Sequence, residues 1–135
     1  MKMGNLRKDS DPPLCISEWG WQYHHIGLPE KTPIAGEKYI PGLRIFVEGF
    51  ETCPFGIERM RFEEGCETVN LIREVPHIAF EVQDIEEALR RQDFRILTPP
   101  NSPGSGIRVA MIEHNGIPVE LIEFSEEKKK RDREG

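Results

Sequence analysis

From Val75 to Val82 the chain alternates between apolar and mixed positions: Ile78, Phe80 and Val82 fall on one face, and His77, Ala79 and Glu81 on the other. That period predicts a strand with one buried face, and Pro76 stands at its start, where a missing N–H does least harm. The same order of histidine, aliphatic, small and large apolar residue occurs earlier, in Tyr23-His24-His25-Ile26-Gly27-Leu28. With His25 set on His77, Ile26 falls on Ile78, Gly27 on Ala79 and Leu28 on Phe80. The chain therefore reads as two copies of one module, each opening on a histidine strand. Matching Ile26 to Ile78 selects His25 over His24, because a slip of one residue exchanges the two faces of a strand.

The remaining pattern fills in both copies. Leu43–Glu48 and Ile57–Phe62 alternate as strands joined through a turn at Thr52–Gly56, and so predict a hairpin. Two prolines and a glycine between Pro29 and Gly36 argue against a helix there. A short linking helix is predicted over Glu67–Arg73. The strongest helix is predicted at Asp84–Arg91: Asp84 caps it, Glu87 stands three residues on, and Ile85, Ala88 and Leu89 share a face. Glu86 with Arg90 and Glu87 with Arg91 have the spacing of ion pairs along the exposed face. The proline- and glycine-rich run Thr98–Gly106 predicts a loop; Ile107–Ile112 and Pro118–Phe124 predict strands about a turn at Glu113–Gly116. Ser125–Gly135 is a charge run, expected to be solvated or a frayed helix.

The spacing between the copies says where they differ. His77 to Arg108 spans 31 positions and His25 to Arg44 only 19, and the shortfall lies where the second copy has its helix and the first has prolines. The expected organisation is one domain: a disordered or extended lead-in over 1–18, a helix-poor βαβββ-type module over 19–66, a complete one over 67–124 and a charged tail over 125–135. Losing the first helix would bare Ile26 and Leu28. Trp19 and Trp21 are expected to cover them, with a second subunit of a homodimer as the other way to do so.

Composition narrows the function. Asp and Glu number 24 against 18 Lys and Arg, a net charge of −6, and no basic run is interleaved with aromatics; nucleic acid is therefore not the expected partner. No apolar run is long enough for a membrane helix, and Met1–Pro13 carries no apolar signal segment. Cys15, Cys53 and Cys66 are odd in number and lack metal-ligand spacing. They read as free thiols of a cytoplasmic protein.

Glu113-His114-Asn115-Gly116-Ile117-Pro118-Val119-Glu120-Leu121 resembles the hairpin of the vicinal oxygen chelate superfamily, in which a turn with an acid and a glycine precedes a glutamate flanked by aliphatics. The superfamily includes glyoxalase I, extradiol dioxygenases, methylmalonyl-CoA epimerase and bleomycin-resistance proteins. The resemblance covers about residues 22–124 and implies an α+β fold of paired βαβββ modules around a cleft, here with the first helix lost or reduced.

Four residues then stand at matching places of the two copies: His25 and His77 on the opening strands, Glu58 and Glu120 on the closing ones. Taken singly, each has a plainer role: His77 as a core imidazole bonded to backbone, Glu58 as a surface acid between arginines, Glu120 as a solvated edge residue. Their coincidence at repeat-equivalent places points to a divalent metal (nickel, cobalt, zinc, manganese or iron), for which two imidazoles and two carboxylates are a suitable set. That order of ligands is similar to metal-dependent glyoxalase I, and the resemblance implies a lyase or isomerase moving a proton beside a carbonyl of a small oxygenated substrate, with Glu120 or Glu58 as the base. The same scaffold also serves epimerases, ring-cleaving dioxygenases and non-catalytic sequestering proteins.

Overall fold

A computed structural model describes residues 6–135; the first five residues of the lead-in lie outside them. The centre of the fold is the pair of histidine strands. β1 (Gln22–Pro29) lies antiparallel to β5 (His77–Glu81), with Ile26 opposite Ile78 and Gly27 opposite His77. Each side of that pair then repeats the other. β1 runs parallel to β4 (Ile57–Phe62), which is followed outward by antiparallel β3 (Ile45–Glu48) and β2 (Lys38–Ile40). β5 runs parallel to β8 (Ile117–Phe124), followed by antiparallel β7 (Ile107–His114) and β6 (Arg95–Gly104). The result is one curled eight-stranded sheet made of paired βαβββ modules, the first without its helix.

The core lies on one face of the second module. There the sheet's Phe80, Ala110, Ile112 and Leu121 meet Ile85 and Ala88 of α3 (Ile85–Leu89). Asp84 caps α3 through Oδ1, which accepts the Glu87 N–H at 3.2 Å. Replacing Asp84 with alanine should cost about 1 kcal/mol of unfolding free energy, read as a fall in the urea midpoint at unchanged slope. Of the two predicted pairs along this helix, Glu87–Arg91 forms, at 2.6 Å. Glu86 turns instead to Arg108 on β7, which also reaches Glu123, and so ties helix to sheet. The linking helix forms as α2 (Asn70–Glu74).

Where α3 has no counterpart, the connection from Glu30 to Glu37 lies across the outer face of β4. Glu37 binds Arg61, Glu30 binds Arg59, and Ile34 is buried. The tryptophans do not cover that face. Trp21 packs on Phe80 with ring centroids 5.8 Å apart, and Trp19 packs on Trp21 and Phe94, which places both in the second module's core. They are delivered there by α1 (Leu14–Ser17), a single turn within the predicted lead-in. Leu28 stays 37% exposed.

Two further readings are corrected by the register. Thr98–Gly104 belongs to β6 rather than to a loop. Its prolines are tolerated because β6 is an edge strand with repeated register shifts, so few of its amides are needed for pairing. In the repeat, Phe46 pairs with Arg61 as Arg108 pairs with Glu123. It is therefore Phe46 that matches Arg108, while Arg44 precedes β3 in a left-handed conformation with φ 55°. The two hairpins are equal in length. The β7–β8 ladder runs to its turn, whereas β3–β4 stops at Glu48 and residues 49–56 open into a wider loop.

The tail is helical. α4 (Glu126–Glu134) is capped by Ser125, whose Oγ accepts the Lys128 N–H, and is anchored by Lys129 on Glu81 at 2.7 Å. No helix among the described residues is long and apolar enough to cross a membrane. The three cysteines are unpaired.

Candidate metal centre

Strand parity sends His77, Ala79 and Glu81 to the face opposite the core. The pairing then fixes what meets them. Gly27 is the register partner of Glu58 and Ala79 that of Glu120, so the two carboxylates occupy matching positions on β4 and β8. The four side chains converge near the junction of the modules, all from one chain. His77 Nε2 stands 3.2 Å from Glu120 Oε1, and His25 Nε2 stands 3.4 Å from the same oxygen. The two Nε2 atoms are 3.4 Å apart, and Glu58 Oε1 is 3.9 Å from His25 Nε2. Both histidines are buried, at 6% and 3% exposure.

The spacing of these donors fits a shared cation. An ion about 2.1 Å from each donor requires them to be about 3.0 Å apart in octahedral and about 3.4 Å apart in tetrahedral coordination. His25, His77 and Glu120 meet that condition and can hold a metal ion. The chemistry agrees with the geometry. Burial pushes the Glu120 carboxyl up, but hydrogen bonds and charge from His25 and His77 outweigh it and bring the group down to about 2. Glu58 behaves differently. Burial holds its carboxyl above the usual range, with His25 opposing and the negative Glu120 adding to the rise. Two half-buried acids set against two imidazoles form a site that a cation would neutralise.

The rings are positioned in unlike ways. His77 Nδ1 is buried without a hydrogen-bond partner, so beyond the contacts of Nε2 the ring is held by packing, lying over Gly27. A Cβ at that position would stand 2.0 Å from His77 Cε1. His25 has a bonded partner. The β1–β5 register shifts between Tyr23 and His25, so His24 is the extra residue of a bulge and turns to the same face as His25. Its Nδ1 lies 2.7 Å from His25 Nδ1, and its ring lies between Phe50 at 5.3 Å and Phe124 at 5.5 Å. Burial first, and then the neighbouring His25, hold His24 below the usual histidine range. Strict alternation made His24 and His25 exclusive choices; the bulge brings both into the cleft.

Beside Glu58 a pocket of ≈ 480 Å³ opens between β2 and the wide loop after β3, lined by Lys38, Ile40, Val47, Phe50, Thr52 and Glu58. Nothing in the alternation of apolar residues marked Phe50, which is 44% exposed and lies 5.8 Å from the His25 ring. A second set of acids, Asp84, Glu86 and Glu123, also clusters, but Arg108 already binds two of the three and Asp84 caps α3.

No family model matches the chain, and no curated protein matches it. Solved structures do. One is a hypothetical protein from Bacillus halodurans C-125, with a TM-score of 0.53 and 18% identity over 78% of this chain and 96% of that one. Another is methylmalonyl-CoA epimerase from Mycobacterium tuberculosis, with a TM-score of 0.53 and 16% identity over 81% of this chain and 91% of that one. At such identities the likeness is one of fold.

Proposed function

We propose that this protein is a metal-dependent isomerase that moves a proton at a carbon next to a carbonyl, with His25, His77 and Glu120 holding the ion and Glu58 acting as the base. The observation that carries the reading is the division between the two acids. Glu120 lies against both imidazoles, whereas Glu58 stands farther off and lines the pocket. A divalent ion in such a site supplies Lewis acidity, drawing electron density from a carbonyl oxygen and acidifying the neighbouring C–H. Glu58 then accepts that proton, the C–H electron pair moves toward the carbonyl oxygen, the proton of the substrate's neighbouring hydroxyl passes to that oxygen, and the same carboxyl returns its proton to the adjacent, former carbonyl carbon. Burial acts on Glu58 toward higher proton affinity and a bound cation acts against it.

The epimerase among the solved neighbours favours isomerase chemistry over the lyase branch of the superfamily. The pocket wall favours a neutral substrate. Glu48, Glu51 and Glu58 line it with Lys38, and Lys38 is already bound to Glu51 at 3.2 Å. An anionic conjugate would therefore meet carboxylates and no free cation among these lining residues. The test is deuterium uptake from heavy water by metal-loaded protein. A neutral 2-hydroxy ketone should exchange at the carbon beside its carbonyl faster than either the glutathione–methylglyoxal hemithioacetal or methylmalonyl-CoA, and chelation should stop it. Uptake by none of the three from a protein that has bound its metal would replace catalysis with simple binding.

A further inference from the structure

We infer that His24 is a positioning residue for the metal centre: its Nδ1 accepts the proton of His25 Nδ1, which leaves His25 Nε2 as a lone pair directed at the site. The inference rests on the metal reading above and adds to it a residue from outside the ligand set.

The geometry leaves little freedom. Two imidazole nitrogens 2.7 Å apart share one proton, so one donates and the other accepts. His25 Nε2 is the atom that faces Glu120 Oε1 and His77 Nε2. To serve as a ligand there it must be unprotonated, and a neutral ring then carries its proton on Nδ1. The acceptor is therefore His24, with its own proton on Nε2. A ligating histidine whose second nitrogen is bonded is fixed in both tautomer and ring orientation.

The surroundings hold His24 in that role. The bulge turns it toward His25 instead of the opposite face, and its ring is flanked by Phe50 and Phe124, with interplanar angles of 34° and 44°. A ring packed against two others cannot swing away from its partner without losing those contacts. His77 has no equivalent arrangement: Val75-Pro76-His77 offers no second histidine, and its Nδ1 is without a partner. The two copies thus support their ligands by different means, one through a hydrogen bond and the other through close contact.

Two substitutions separate the hydrogen bond from the packing. His24→Phe keeps an aromatic ring between Phe50 and Phe124 but removes the acceptor. His24→Asn loses the ring but offers Oδ1 near the position of Nδ1. Zinc titration of the 135-residue chain should show affinity falling roughly 10- to 100-fold in His24→Phe, the range for such supporting partners, and about 3-fold or less in His24→Asn. In the zinc-loaded unaltered protein, nitrogen NMR should find His24 protonated on Nε2 with Nδ1 bare. The inference is overturned if His24→Phe binds zinc as tightly as the unaltered chain, or if His24→Asn falls as far as His24→Phe. A proton on His24 Nδ1 in the zinc form, read without any substitution, overturns it as well. Failure of the unaltered chain to bind zinc, nickel or cobalt would overturn both this inference and the reading beneath it; zinc binding indifferent to His24 overturns only this one.

Discussion

Gly27→Ala will weaken metal binding by at least about 100-fold, beyond what loss of a supporting hydrogen bond costs, while the protein stays folded. The backbone gives no reason to expect this. Gly27 lies in β1 without a positive φ, and a strand accepts alanine readily. The matching residue of the second module is in fact alanine, Ala79. The difference lies in what each supports. A Cβ on Gly27 would stand 2.0 Å from His77 Cε1, 2.5 Å from Nδ1 and 2.6 Å from Nε2, so the ring must leave its place. With no hydrogen bond at Nδ1 to hold it, the ring gives way before the strand does. Overpacking of this kind costs about 1–3 kcal/mol of stability, well short of unfolding most domains. Calorimetry of metal binding, with circular dichroism as the check on folding, reads both effects. Undiminished affinity in Gly27→Ala would mean that His77 does not contribute as a ligand from its present position.

That position shows how far the sequence could be read. The histidine strand, its echo and the hairpin after Ile107 were legible because period-two alternation and turn residues are local signals, and the sheet is assembled from two such copies. The matching of Gly27 with Ala79 was legible too, but only as two small residues; that one ring lies over a bare Cα depends on packing across strands. His24 was hidden for a related reason. A bulge breaks alternation without changing composition, so a strict count assigns one of two adjacent histidines to the wrong face. Thr98–Gly104 misled in the opposite sense, since prolines are loop signals unless the strand lies at a sheet edge. The pocket left no local trace. It exists because the β3–β4 ladder ends at Glu48 while the β7–β8 ladder runs on to its turn, a difference between two hairpins of equal length.

Glu58→Gln separates the two acids, and the expected result is loss of proton transfer without loss of the ion. The substitution conserves shape, removes the ability to take a proton, and takes away a charge that lies farther from the imidazoles than that of Glu120. Exchange of deuterium into the substrate should fall roughly 10²- to 10⁴-fold, the usual contribution of a positioned base. Zinc affinity should change by less than about 10-fold, because His25, His77 and Glu120 remain and the first two can still be oriented as before. Glu120→Gln should do the reverse in kind. It removes the charge that lies 3.2 and 3.4 Å from the two imidazoles, so the metal is lost and activity goes with it. Adding metal in excess should therefore restore part of the exchange rate in Glu120→Gln and none in Glu58→Gln. The same excess restoring Glu58→Gln would place Glu58 among the essential ligands, and the base would have to be sought elsewhere along the pocket wall.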